Sequence, residues 1–202
     1  MTRTPASWQA ADSAHFLHPF TDFKALLKSR LDAVVIASPN ALHADMCIAA
    51  AKAGGMCNTS NSNPVLMNVT FNGNSAPTGG GMWNYLSTPQ VRNSILWGNT
   101  AINGPQISMF RQNVQNLPPC TVNLTYTNIQ GGAAAVYDEG GGCTVAAGAG
   151  MMNFSPLFYD ADGLDNLAGT IDDNLRLSEG SPCVDAGDNN AVMVTTDLDG
   201  NA

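Results

Sequence analysis

The segment Pro64-Val-Leu-Met-Asn68-Val-Thr-Phe71-Asn-Gly73-Asn74 superimposes on Pro89-Gln-Val-Arg-Asn93-Ser-Ile-Leu96-Trp-Gly98-Asn99 at a spacing of 25 residues. A third copy, Val122-Asn-Leu124-Thr-Tyr126-Thr-Asn-Ile129-Gln-Gly131-Gly132, follows after 33, so the connection before it is longer by eight. Each copy carries a large aliphatic (Leu66, Val91, Leu124), then Asn68, Asn93 or Tyr126, then an apolar residue (Phe71, Leu96, Ile129), and a glycine two later. A repeat of this length, made of short strands, Asn and Gly, is what one coil of a β-solenoid requires. Gly adopts positive φ at the bends and Asn tolerates it better than most residues. Equivalent residues then stack about 4.8 Å apart on the next coil. Apolar positions become a continuous core, and Asn68 over Asn93 forms either a side-chain amide ladder or a pair of turn corners.

The repeat does not extend over the whole chain. Residues 1–55 carry five cations and four acids, a net of +1, whereas residues 56–202 carry three cations and twelve acids, a net of −9. All three His precede the break, and 18 of the 20 Gly follow it or sit beyond it. This divides the chain into an N-terminal segment, 1–55, and a solenoid, 56–202, with an irregular acidic end. The total of −8 offers no electrostatic footprint for nucleic acid or an anionic membrane. No apolar run is long enough to span a bilayer.

The N-terminal segment reads as α/β. Leu31–Ala37 is a short apolar, β-branched run typical of a buried parallel strand. After Ser38-Pro39-Asn40, the Ala-rich stretch 41–53 closes on Gly54-Gly55, a helix with a glycine stop. A strand, a polar turn and a helix make half of a βαβ unit. Residues 21–55 resemble part of the dinucleotide-binding domain of glucose–fructose-oxidoreductase-type dehydrogenases. That resemblance implies that Ser38, Pro39, Asn40 and His43 lie beside a nicotinamide cofactor. Residues 1–20 are similar to the start of class III aminotransferases. No G-x-G-x-x-G precedes residue 54, so a pyrophosphate cradle is missing, and the family's Glu-Lys-Pro is replaced by other sequence. No cofactor is therefore assigned to this remnant.

The stretches "NSILWGNTAINGPQI", "TVNLTYTNIQGG", "NFSPLFYDADG", "LRLSEGSPCVDAGDN" and "TDLDGN" resemble the C-terminal part of bacterial right-handed parallel β-helix repeat proteins. Those proteins are secreted or surface-attached and often adhesin-like. The resemblance implies an extracellular or cell-surface location, although the first twenty residues show no signal peptide. The fold expected is mainly β, a right-handed parallel β-helix with a short N-terminal α/β or helical cap covering the open end.

Chemistry is concentrated in the acidic end. Asp160-Ala-Asp162-Gly-Leu-Asp165 and Asp197-Leu-Asp199-Gly-Asn201 alternate oxygen ligands with a glycine bend, as short Ca²⁺ loops do; Asx-turns account for the same letters without metal. No acid lies between Asp45 and Asp138, so the repeated coils lack the paired carboxylates of a glycosidase and catalysis of a polysaccharide-lyase kind is unsupported there. Trp83, Tyr85 and Trp97 are read as exposed aromatics. Trp97 holds the place of Asn72 and Gln130, a solvent-facing position suited to stacking on sugar rings; the alternative is packing over a turn or the 100–120 loop. Four cysteines follow the break (Cys57, Cys120, Cys143, Cys183), which leaves three pairings open. Cys120 and Cys143 flank the third copy. The expected function is a non-catalytic structural or adhesive module that takes glycans or surface proteins as partners. The alternatives are an incomplete NAD(P)-dependent oxidoreductase, a lyase-like β-helix, and a chimeric reading frame without a selected function.

Overall fold

The computed structural model describes residues 34–35, 54–59, 62–112, 117, 120–170 and 172–191. All belong to the second of the two compact units into which the chain divides, the one that begins at Asp32. The α/β or helical cap expected over residues 1–55 falls outside the described residues apart from Val34–Val35 and Gly54-Gly55.

The described chain winds through three parallel sheets. The first coil consists of β2 (Met56–Asn58), β3 (Val65–Met67) and β4 (Thr70–Asn72), and the second of β5 (Met82–Tyr85), β6 (Gln90–Arg92) and β7 (Ile95–Trp97). The third holds β8 (Ile107–Phe110), β9 (Cys120–Thr125) and β10 (Asn128–Ile129). A partial fourth holds β11 (Tyr137–Asp138) and β12 (Cys143–Ala147), with Met152 bridging to Asn128 where the next strand would lie. Stacking these coils gives sheets ordered β2-β5-β8-β11, β3-β6-β9-β12 and β4-β7-β10, every pairing parallel. This is a β-solenoid. The short strand β1 (Val34–Val35) extends the first sheet by pairing parallel with Met56 and Cys57.

The register is the one the repeat dictates. Leu66 pairs with Val91, Val91 with Leu124, and Leu124 with Ala147. Phe71 pairs with Leu96, and Leu96 with Ile129. A third column runs Met56, Met82, Ile107. Met82, Leu96, Ile107, Leu124 and Ile129 are completely buried, each contributing about 1.5–3 kcal/mol relative to exposure. Between the second and third sheets the chain turns at Asn68, Asn93 and Tyr126, with φ of 56°, 49° and 47°. It turns again at Gly73, Gly98 and Gly131, with φ of 69°, 68° and 85°. Left-handed backbone at both corners explains Asn at the first corner of two coils and Gly at the second corner of all three, Tyr126 adopting the same backbone in the third coil.

Of the two readings open for Asn68 over Asn93, the structure bears out the pair of turn corners, and the amide ladders lie elsewhere. At a left-handed corner the side chain points outward, so Asn68 is exposed and its amide does not stack on Asn93. On the first sheet, strand alternation turns Asn58 and Asn84 inward, both fully buried. Asn58 Nδ2 donates to Asn84 Oδ1 at 2.8 Å, and Asn84 Nδ2 to the Ser108 carbonyl at 3.3 Å. A second chain of amides runs from Asn74 Nδ2 to Asn99 Oδ1 (2.9 Å), from Asn99 Nδ2 to Gln106 Oε1 (2.6 Å) and from Gln106 Nε2 to Gln130 Oε1 (3.2 Å). Carboxamides carry donor and acceptor together, so each amide can pass a hydrogen bond to the next coil in a core where an unpaired polar group is costly; the first member, Asn58, keeps a buried Oδ1 without a partner.

Cys120 and Cys143 occupy paired positions on β9 and β12 and are joined by a disulfide, with Cα atoms 4.7 Å apart. A link closing a 23-residue loop stabilises by about 3 kcal/mol in the chain-entropy picture. Beyond the coils the chain forms an antiparallel pair, β13 (Phe158–Asp160) and β14 (Asn174–Leu177).

Replacing the middle of the ladder tests its contribution. Asn84→Leu leaves the buried Asn58 amide without its acceptor, and the urea midpoint is expected to fall by an amount equivalent to about 1–3 kcal/mol. An unchanged midpoint would show that the ladder contributes nothing.

Candidate functional site

The segment after the fourth coil runs back along the solenoid because specific corners hold it. Asn93, whose left-handed backbone turns its amide outward, accepts from the Asp188 N–H at 2.9 Å and donates to the Asp188 carbonyl at 3.1 Å. Gly187 lies against the same amide, where an added Cβ would come within 3.4 Å of Asn93 Cγ. Ser181, buried, donates its hydroxyl to the Pro156 carbonyl at 2.6 Å. Asn128 Nδ2 donates to the Phe154 carbonyl at 2.8 Å and lies 3.1 Å from Cys183 Sγ. The Ser-Pro-Cys-Val-Asp-Ala-Gly motif is thus a clasp tying residues 181–188 to the second and third coils.

Clasped this way, the segment roofs part of the third sheet and leaves a groove of about 450 Å³. Trp97, half-buried on β7, forms one wall; Asn72 and the glycines Gly73 and Gly98 lie along the sheet, and Leu157, Phe158, Ala161 and Asp162 come from the returning segment. Asn72 Nδ2 reaches the Ala161 carbonyl at 3.5 Å. Trp97 thus lines one groove with residues 155–168 of the returning segment. Two residues singled out for different reasons, Trp97 and Asp162, thereby share one groove.

Trp83 and Tyr85 require correction. They lie on the outer face of the first sheet, but Trp83 is only 9% exposed and Tyr85 is half-buried. Their rings stack with each other and with Phe110, the centroids 5.5–6.4 Å apart, and Trp83 Nε1 donates to Glu139 Oε2 at 3.4 Å. The expected exposure fails because a third aromatic, Phe110, in register with Tyr85, packs against both rings. Cys57 is buried in the same cluster, and burial pushes its thiol up from 9.0 to about 11.

The acidic loop spends its carboxylates on its own backbone. Asp172 Oδ2 accepts from the N–H groups of Leu164 (2.7 Å) and Asp165 (3.2 Å), and Oδ1 from the Thr170 hydroxyl (2.6 Å). Asp173 Oδ2 accepts from Gly169 N–H at 2.6 Å, and Asp165 Oδ1 from Leu167 N–H at 2.9 Å. Asp160 is half-buried on β13 and Asp162 exposed. Among the described residues no group of three or more His, Cys, Asp or Glu is gathered around a metal-sized site. Asp197 and Asp199 lie outside the described residues, as do Ser38, Pro39, Asn40 and His43. No described helix is long and apolar enough to cross a membrane.

A second opening, about 720 Å³, lies at the N-terminal mouth of the coils. Met56, Leu66, Val69 and Phe71 meet Thr170, Asp173 and Leu175 there. Sequence reasoning expected an open end there but not the contribution of Thr170, Asp173 and Leu175 to it, nor the groove roof. Both depend on where an irregular segment returns, which no period reports.

Comparison with known proteins adds one similarity. Residues 1–59 match a family described as an oxidoreductase family with an NAD-binding Rossmann fold. The match takes in the segment read above as dehydrogenase-like and runs into β2, the first strand of the solenoid. No curated protein and no solved structure matches the chain.

The Thr170 hydroxyl, followed by backbone N–H groups, holds the Asp172 carboxyl below its usual 3.8. A carboxyl with a depressed native value supports the fold above 3.8, and that support is lost as the pH falls through the lower value. In a carbon-detected titration the Asp172 midpoint is expected below 3.8, moving back toward it in Thr170→Val. Coincident midpoints in both proteins would refute the assignment.

Proposed function

We propose that the chain is a non-catalytic β-solenoid module of a secreted or surface-exposed protein, holding glycan chains in the groove beside Trp97. The observation that carries this reading is the composition of that groove. An indole face stands next to an amide (Asn72) and an exposed carboxylate (Asp162). An aromatic ring packs on the C–H face of a pyranose, while amide and carboxylate oxygens bond its hydroxyls. The disulfide between adjacent coils supports an oxidising compartment. The coils offer no carboxylate pair across the groove, and Arg92 is engaged with Thr125 Oγ1 at 3.3 Å on another sheet, which favours holding a sugar over cleaving it.

A second reading is supported by the family match over residues 1–59: nicotinamide dinucleotide binding near Ser38, Pro39, Asn40 and His43. The two readings separate cleanly. On a glycan array followed by calorimetry with the best oligosaccharide, Trp97→Ala is expected to weaken binding roughly tenfold while leaving far-UV circular dichroism unchanged. Absence of any bound glycan, or full affinity in the variant, would end the first reading. A thermal shift with NAD(P) that survives Trp97→Ala would favour the second.

A further inference from the structure

Acceptors outnumber donors among the unengaged polar groups of the groove beside Trp97. Its lining holds one charged side chain, Asp162, and no Lys, Arg or His; Arg176, on the neighbouring β14, lies outside it. Asp165, Asp172 and Asp173, further along the returning segment, accept from the loop's own N–H groups. The Asp162 carboxylate differs from them. It is exposed, and among the described residues no hydrogen bond or ion pair engages it. On the sheet side Asn72 commits its Nδ2 to the Ala161 carbonyl, which leaves its Oδ1 as an acceptor without a donor among the described residues. Ser155 and Trp97 supply the remaining side-chain donors of the lining. Two aromatic residues stand on different walls, Trp97 on β7 and Phe158 on β13. The face of an aromatic ring carries partial negative charge, so it adds to the attraction a carboxylate exerts on a cation.

We infer that the occupant of this groove is an amino sugar with a free, protonated amine, held by the Asp162 carboxylate and the Trp97 ring. The inference rests on the glycan reading above and narrows it to one class of sugar. An ammonium group carries donors and no acceptor, which suits Asp162 and the Asn72 Oδ1. Its charge makes the bond to a carboxylate charge-assisted, about twice as strong as a neutral one. Acetylation of the same amine removes the charge and leaves a single N–H beside a new carbonyl, an acceptor in a groove already rich in acceptors. A uronic acid fits less well still. It sets a second carboxylate against Asp162, and no cation of the lining offsets the repulsion. Walls from the sheet and from the returning segment exclude part of the solvent, so these charge effects are screened less than on an open surface. The pyranose ring itself packs on Trp97 in all three cases. Discrimination among them therefore falls to the group at Asp162.

Titration of the nitrogen-labelled full chain with the glucosamine disaccharide, in a mildly acidic buffer that keeps the amine protonated, reads the outcome at the Trp97 indole N–H. The diacetylated disaccharide and a uronic-acid disaccharide are titrated in parallel; short ligands avoid the attraction of a polycation to the acidic chain as a whole. The glucosamine form is expected to bind about tenfold more tightly than the diacetylated form, and the uronate more weakly than either. Asp162→Asn is expected to equalise the first two. Glu179→Gln, the same charge change at an exposed position outside the groove, is expected to leave the preference intact. If the diacetylated form binds as tightly as the glucosamine form, and Trp97→Ala weakens both, this inference fails while the glycan reading stands. A glucosamine preference that survives Asp162→Asn, or that Glu179→Gln abolishes equally, also overturns it. So does lysine amide binding as tightly as the glucosamine disaccharide, which would make the groove an ammonium site indifferent to the sugar. No saccharide bound in the titration or on the array removes the glycan reading and this inference together.

Discussion

Parallel, in-register stacking of one coil on the next governs everything else in this chain. Each strand is only two to six residues long and could not hold its shape alone. Repetition of the register turns isolated residues into columns, in which Leu66, Val91 and Leu124, or Phe71, Leu96 and Ile129, exclude water together. The corners must then turn at the same place every time, which requires left-handed backbone at Asn68, Asn93 and Tyr126 and at the glycines that follow them. The core, the corners and the amide ladders are three expressions of that register. A residue's neighbours are consequently set by the coil period more than by adjacency along the chain.

The same logic explains what could be read from the sequence. Equivalences between copies were legible because a column needs similar side chains at fixed intervals, and the pairings of Leu66 with Val91 and of Phe71 with Leu96 follow from spacing. The choice between ladder and corner at Asn68 and Asn93 was not legible because Asn serves two purposes here. At the corner it is chosen for its backbone, as at Asn68, and on the strand for its side chain, as at Asn58 and Asn84; the letter is the same in both. Trp83 was misread for a related reason. Alternation tells which face of a sheet a side chain occupies, but not whether a stacked neighbour such as Phe110 will cover it.

The groove and its clasp belong to a different category. Residues 155–191 have no period, and their path is decided by a few long-range polar contacts. Asn93 meets Asp188 across 95 positions, and Ser181 meets Pro156 across 25. Such contacts leave a trace only as a compact run of small and polar residues, which sequence inspection flags as a turn without saying what it docks on. The carboxylates of this region look like cation ligands as letters. In three dimensions Asp165, Asp172 and Asp173 act as caps for the loop's own N–H groups. Trp97 and Asp162 came together because the clasp brings the loop over the third sheet.

The pairing of Val34–Val35 with Met56–Cys57 has an architectural implication. A solenoid edge offers only backbone donors and acceptors at regular intervals, so it can be extended by any strand that presents a complementary backbone, whatever its side chains spell. The first sheet thus works as a splice acceptor at the level of structure: Val34–Val35, which lie outside the repeat, extend it by backbone pairing with Met56–Cys57. Modules of this kind can change what precedes them while the coils keep their register.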